Sequence, residues 1–401
     1  MAVKIFEDLD NQLLGIYLEH ERVVEESHPK YELNESVFAI NEPFYMKTEK
    51  EAIIRDNNQT NHKTNKNNKR NKRKVNKIHI YESLLTQSQK QVIAKIFNDV
   101  KHTIKQLSTN SINDNKSCEQ MAQKALSLND FHEYSDRLLC NESNSSLMTN
   151  NFIIPANCSL MSSDVIHGLK TMHNHYIEGK LIVSQQLLVV IDPPWLSNKS
   201  VKRKRCYRTD DNQNILEMTH ILNDLFNSFP KQTDIKVCIW STHKEKDFVV
   251  NQMIPNINCK TTHVLVWHKI TRRGQSCKLR GSLEYLIIAS NNSFETNYRN
   301  GILVSIPSAI HSHKPPLKHL IDSLFDKNCV KSVGNEGSTP VEIVSTDSEP
   351  NSVKNHNLSN AIISRVSGLE LYARYLSSGF HSIGYECLKL QNFDLYSIIQ
   401  K

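Results

Sequence analysis

From about residue 152 onward, apolar and β-branched runs recur along this chain: Leu187–Ile191, Lys236–Trp240, Val264–Trp267, Tyr285–Ala289, Ile302–Ile306 and Leu369–Tyr372. They are near-continuous rather than alternating, as in strands covered on both faces. The stretches between them are long enough for helices, and His220–Phe229 is one helical segment. This texture predicts an α/β domain over 151–401, built on a mostly parallel sheet. Ligands of such sheets bind beyond the carboxyl ends of the strands.

Upstream the pattern is weaker. Residues 1–56 read as an irregular N-terminal segment with a few apolar anchors, Val37-Phe38-Ala39-Ile40 and Phe44-Tyr45. Residues 57–77 form a basic, Asn/Lys-rich linker, too polar to offset its ordering entropy. A helical N-terminal region is expected over 78–150. Within it Ile93, Ile96, Phe97, Val100, Ile104 and Leu107 make one apolar stripe from Gln91 to Leu107. Leu126–Leu139 is a weaker helix candidate, and Ser/Asn-rich 141–151 reads as a second linker. Residues 327–362, rich in Gly, Ser, Pro, Asn and acids, read as a loose surface insertion.

Charge adds a partner to this picture. Residues 63–77 hold eight Lys and Arg and no acid, whereas the whole chain nets +7. The remainder is therefore close to neutral, with a second basic cluster at 199–208. Local basic patches on a neutral body point to a phosphate-bearing partner. The nine cysteines include no C-x-x-C pair, which fits free thiols better than a zinc ribbon. His311 and His313 alternate but lack a third ligand, so no metal is expected. No run approaches about 18 apolar residues, and the first residues show no apolar signal core, so neither a membrane span nor a secretory signal is expected.

The most specific chemistry stands behind the first apolar run. Leu187–Ile191 ends in Asp192-Pro193-Pro194-Trp195. Two prolines stiffen the turn and remove backbone donors. A carboxylate, prolyl carbonyls and a flat ring then share a small space. Such a set can grip a planar base by its exocyclic amine: Asp192 and the Pro193 carbonyl accept the two N–H hydrogens, and Trp195 stacks. Trp240 and Trp267 read as core or pocket wall.

Asp-Pro-Pro-Trp after an apolar strand resembles the MT-A70-like family of N6-adenine methyltransferases. Asn198-Lys199-Ser200-Val201-Lys202-Arg203, His311-Ser312-His313-Lys314-Pro315-Pro316-Leu317 and Leu369-Glu370-Leu371-Tyr372-Ala373-Arg374 look like its branch of methyltransferase-like protein four. The resemblance covers roughly 150–395. It implies a permuted class I (Rossmann-like) S-adenosylmethionine-dependent methyltransferase domain, preceded by a smaller, partly disordered helical region, with the cofactor strand late, at 369–374. No Gly-x-Gly-x-x-Gly turn precedes Asp192, which agrees with permutation. Asp164 and Val165 would read the cofactor adenine; the rival reading of Asp164 is an N-cap, a common use of Asp. Lys314 would lie near the reaction centre. Glu370, Leu371, Tyr372, Arg374 and Glu386 would hold the rest of S-adenosylmethionine. Where the family carries Gly-Asn-Glu or Gly-Asn-Gln, this chain has Gly384-Tyr385-Glu386, and a phenol cannot copy the amide.

Further implications concern the substrate. The branch implies 2′-O-methyladenosine in small nuclear RNA of U2 type, with an adenosine that is single-stranded or splayed out. DNA adenine, or a catalytically weak RNA-binding role, are the alternatives. Asn198, Lys199, Lys202, Arg203, Lys204, Arg205, Lys269, Arg272 and Arg273 are expected to meet phosphates, although Arg272-Arg273-Gly274 equally reads as a basic hairpin turn. The run Lys69–Lys77 predicts nuclear import. A monomer is expected.

Overall fold

The computed structural model describes residues 2–7, 13–26, 31–40, 86–104, 116–127, 138–141, 146–149, 152–195, 212–277, 284–293, 298–310, 313–325 and 363–398. The strands are β1 (Val3–Glu7), β2 (Leu13–Leu18), β3 (Tyr31–Leu33), β4 (Leu138–Asn141), β5 (Leu147–Thr149), β6 (Phe152–Ile154), β7 (Cys158–Met161) and β8 (Leu181–Ile191). They continue as β9 (Asp234–Thr242), β10 (Lys260–Lys269), β11 (Glu284–Ser290), β12 (Arg299–Ser305), β13 (Ile363–Leu371), β14 (Phe380–Ile383) and β15 (Tyr396–Ile398). The helices are α1 (His20–Glu26), α2 (Gln87–Val100), α3 (Lys116–Ser127), α4 (Val165–Ile177), α5 (Asn212–Ser228) and α6 (Lys318–Phe325). A shorter helical stretch with a π turn covers 246–256.

Eleven strands form one sheet in the order β1-β2-β12-β10-β11-β9-β8-β13-β14-β7-β4. All six runs that the sequence marks as strands are in it. Strands β9, β8, β13, β14 and β7 are consecutive and parallel. The late strand β13 lies beside β8, with Leu371 opposite Ile191, as the permuted arrangement requires. Strand β8 shows why its sequence is apolar throughout. Leu187, Val189 and Ile191 pack in one layer with residues of α4, α5 and the 246–256 stretch. Leu188 and Val190 pack in the opposite layer with Trp240, Trp267 and α6. Each face of the sheet is covered, so period-2 alternation has no polar half to show.

Several expectations change. Strand β11 runs antiparallel between β10 and β9. A hydrophobic run encodes burial, not direction. The 1–56 segment is not irregular where it is described. Its β1 and β2 join the sheet, β2 parallel to β12, and β3 pairs with β15. Short strands whose partners lie far along the chain leave little local trace. Of the anchors, Val37, Phe38 and Ile40 are buried, whereas 44–45 fall outside the described residues. The 126–139 helix is replaced by α3, which ends at Ser127, and by β4, which starts at Leu138. The 141–151 linker gives Asn141 to β4 and 147–149 to β5.

Helix α2 keeps its predicted stripe. Ile93, Ile96, Val100 and Ile104 pack on Phe6, Tyr17, Ile302 and Val304 of β1, β2 and β12. A reciprocal capping box starts it: Gln89 N–H donates to the Thr86 hydroxyl, and Thr86 N–H to the Gln89 side chain. The 57–77 linker, the 327–362 insertion and Leu107 lie outside the described residues. No helix among the described residues is long and apolar enough to cross a membrane.

Candidate functional site

The parallel strands around β8 deliver their carboxyl ends to one edge of the sheet. Asp192 leaves β8 there and Tyr372 leaves β13; the Asp192 N–H donates to the Leu371 carbonyl at 3.3 Å. Because β11 is antiparallel, its first residue, Glu284, reaches the same edge as the last residue of β10, Lys269. The loop before α6 brings Lys314.

These groups form one charged network. Asp192 stands 3.4 Å from the Arg374 guanidinium and 3.8 Å from the Lys314 ammonium. Lys314 also pairs with Glu284, which Lys269 meets at 2.8 Å. On the other side Arg374 reaches Glu386 at 3.6 Å, and Glu386 reaches Lys389 at 3.3 Å. Arg374 therefore bridges Asp192 and Glu386. Burial alone would raise the Glu284 carboxyl, but the Lys269 and Lys314 charges outweigh it and hold it well below the carboxylate range. Burial pulls Lys314 down, while Asp192 and Glu284 more than restore it, so it stays charged. Glu370 goes the other way. Burial, then the Asp192 charge, push it up to about 8, with Arg374 opposing.

A cavity of about 180 Å³ opens at this edge. Asp192, Lys314, Glu370, Tyr372 and Arg374 line it, with Trp240 and Phe380 among its apolar walls. The structure thus brings together five predicted residues from three distant segments. Tyr372 sits at φ 60°, a left-handed conformation costly for an aromatic residue. It ends β13 abruptly and turns the chain toward Arg374. The Trp240 indole N–H is buried with no acceptor among the described residues.

Asp164, Val165, Leu371 and Glu386 do not line this cavity. One Asp164 carboxylate oxygen accepts from the Ile166 and His167 N–H groups at 2.9 and 3.2 Å, so it caps α4. Val165 and Leu371 are core residues. The 162–164 turn still adjoins the Gly384 segment: Gly384 N–H donates to the Met161 carbonyl at 3.2 Å. A Cβ on Gly384 would stand 2.8 Å from the Ala373 backbone, so glycine permits this close approach. Tyr385 beside it is 40% exposed.

Trp195 corrects the sequence reading most sharply. It is only 5% exposed. Its indole N–H donates to the Trp240 carbonyl at 3.2 Å, and Phe248 meets it edge-on. No ring face is left open for a base. Trp195 instead pins the turn, and its backbone N–H donates to the Pro193 carbonyl at 2.9 Å. That occupies one of the carbonyl's two lone pairs. Trp240 becomes the aromatic wall, with Trp267 at 5.0 Å behind it.

The basic residues also divide. Lys269 lies in the Glu284 pair, over the Trp267 ring at 3.9 Å, and is no surface contact. Arg272 holds the N-terminal segment: its Nη2 donates to Glu21 at 3.0 Å and its Nε to the Phe38 carbonyl at 3.0 Å. Of the three that are described, Arg273 is the exposed one, on a turn ended by Gly274. Asn198, Lys199, Lys202, Arg203, Lys204 and Arg205 lie outside the described residues. Sequence reasoning missed Glu284. Its one trace is an acid directly before an apolar strand, and its partners lie 15 and 30 residues away. No cluster of three or more potential metal ligands occurs among the described residues.

Comparison with known proteins bears on the same segment. The MT-A70 family model matches residues 187–332, from β8 through the Lys314 loop and α6. The N(6)-adenine-specific methyltransferase METTL4 of Mus musculus is 26% identical over 275 residues, covering 63% of this chain and 47% of that protein. The DNA N6-methyl methyltransferase of Caenorhabditis elegans is 27% identical over 223 residues, 52% of this chain and 48% of its own. This chain thus spans about half the length of the curated relatives it matches. Among solved structures, the crystal structure of the M1.HpyAVI–SAM complex overlaps 59% of this chain and 97% of its own, at 11% identity and a TM-score of 0.30. Asp-Pro-Pro-Trp at the end of β8 and Lys314 beside its carboxylate both lie within the segment of this chain that is similar to the MT-A70 family.

Proposed function

We propose that this protein is an S-adenosylmethionine-dependent methyltransferase of adenine N6 in nucleic acid. The observation that carries this reading is Asp192, held at a strand end by Arg374 and Lys314 without a short hydrogen bond to either. The cavity's donor set fits the cofactor. Lys314 and Arg374 can meet a carboxylate, Asp192 and Glu370 can meet ammonium or hydroxyl groups, and the Trp240 N–H awaits an acceptor. When bound, the cofactor supplies an electrophilic methyl group.

The chain's own residues do the positioning. An adenine amine is a weak nucleophile because its lone pair is delocalised into the ring. Asp192 can accept one N–H, and the free lone pair of the Pro193 carbonyl the other. Holding both favours a pyramidal nitrogen whose lone pair faces the methyl donor. Lys314 and Arg374 keep Asp192 aimed, and Glu284 keeps Lys314 in place. The catalytic contribution is orientation and electrostatics, with no covalent enzyme intermediate.

The finer reading is RNA. The branch-type strings around Lys199 and Lys314 support adenosine in small nuclear RNA, 2′-O-methylated, in a single-stranded or splayed-out state. The Caenorhabditis elegans relative, named a DNA N6-methyl methyltransferase, keeps DNA as the second reading. Nuclear residence follows from the basic run at Lys69–Lys77. The test is methyl transfer by the purified chain to matched oligonucleotides carrying adenosine, 2′-O-methyladenosine or deoxyadenosine at one site. Preference for the 2′-O-methyl RNA supports the finer reading and preference for DNA overturns it. Cofactor binding without transfer to any oligonucleotide leaves the weak RNA-binding role.

A further inference from the structure

Helix α1 lies outside the segment matched by the family model, yet it borders the cavity. Val23 and Glu26 line it together with Asp192 and Lys314. Val23 is buried in the layer that contains Val190, Trp240 and Leu317. The next residue, Val24, packs with Phe38 and Tyr375. Glu26 meets His319 of α6 at 2.8 Å, tying the two helices at the cavity. Arg272 fixes the start of α1 through Glu21.

His20 opens the helix and is 1% exposed. Its ring stands edge-on to Phe38 and to His313, each at 5.0 Å. His313 in turn meets Tyr375 at 5.2 Å. The His20 ring nitrogens make no well-formed hydrogen bond, and the polar group they face is the Lys314 backbone. A buried imidazole without a strong partner is costly, so its presence beside Lys314 asks for a reason. Burial, then His313 and the nearby lysines, keep it neutral.

We propose that α1 is a working part of the site: Val23 and Glu26 close the cavity, and His20 is a positioning residue for the loop that carries Lys314. The inference rests on the cofactor reading above. It turns the N-terminal segment from an appendage into a wall of the active site. It also makes Lys314 placement depend on a contact between residues 293 positions apart, His20 and His313.

Hydrogen–deuterium exchange of the full chain, with and without S-adenosylhomocysteine, tests this directly. Amides at 18–26 should slow severalfold on ligand addition, together with those at 370–375. Protection at 370–375 with none at 18–26 would overturn this inference alone. Protection nowhere would overturn the cofactor reading and this one with it. Two substitutions add independent readouts. Val23→Phe should fill cavity space and weaken S-adenosylhomocysteine binding about tenfold, measured on protein that circular dichroism shows to be folded. His20→Phe keeps the ring packing but loses the polar edge. It should lower kcat about tenfold at unchanged KM for the oligonucleotide, with partial rescue by His20→Gln. Wild-type affinity in folded Val23→Phe, or wild-type kcat in folded His20→Phe, would count against it. If neither variant folds, the exchange result decides.

Discussion

Asp192 and Arg374 face each other at 3.4 Å, although 182 residues separate them in the chain. Their strands are neighbours, with Ile191 opposite Leu371 in register. One residue beyond that pair, Asp192 leaves β8, and three beyond it Arg374 follows the left-handed turn at Tyr372. The charge pair is thus set by strand register. A slip of one residue in either strand would turn its own charged side chain to the other face and part the pair.

This geometry makes Asp192 the first target. Asp192→Asn keeps the shape but removes the charge and one acceptor. We expect methyl transfer to fall about a hundredfold or more, with the fold retained. Single-turnover rates alongside circular dichroism check it, and turnover like wild type would end the proposed mechanism.

Trp195→Ala tests the corrected role of this ring. It removes a large buried side chain, and with it the indole hydrogen bond to the Trp240 carbonyl. A loss of about 3–5 kcal/mol in unfolding free energy is expected, read by denaturant titration. A surface stacker would show weaker substrate use at unchanged stability instead.

Glu370 supplies a pH signature. Its folded-state value, pushed up to about 8, lies above the ordinary 4.5. The folded state therefore holds this proton more tightly than the unfolded chain. The stability it contributes is fully present below 4.5 and is lost as pH rises from there through 8. Glu370→Gln should flatten the decline in Tm across that window. An identical Tm-against-pH curve in the variant would contradict the assignment.

Tyr385→Asn introduces the amide that the sequence resemblance expects at this position. The phenol is 40% exposed and does not line the cavity. We expect calorimetric affinity for S-adenosylhomocysteine to change less than about threefold, below the value of one net hydrogen bond. Tenfold tightening would show that an amide here reaches the cofactor. Tenfold weakening would show that the phenol does.

Replacing Arg70, Lys72, Arg73 and Lys74 with Gln addresses localisation. Loss of nuclear enrichment of a tagged protein is the expected result. Unchanged location with weaker RNA binding would make the run an RNA tether rather than an import signal.

Local pattern determined much of this protein. The six apolar runs marked six sheet strands, because a strand covered on both faces must be apolar on both. The stripe from Ile93 to Ile104 marked α2, because one face packs against the sheet. Asp192 and its prolines announced their chemistry through residue type alone. What depends on pairing between distant segments was left to the tertiary structure. It reversed β11 and so brought Glu284 to Lys269 and Lys314. It drew β1 and β2 into the sheet, buried Trp195, and turned Asp164, Lys269 and Arg272 into structural contacts. In each case a side chain's role depends on which neighbour the fold puts beside it, and adjacency across a sheet edge is not written in any short stretch of sequence.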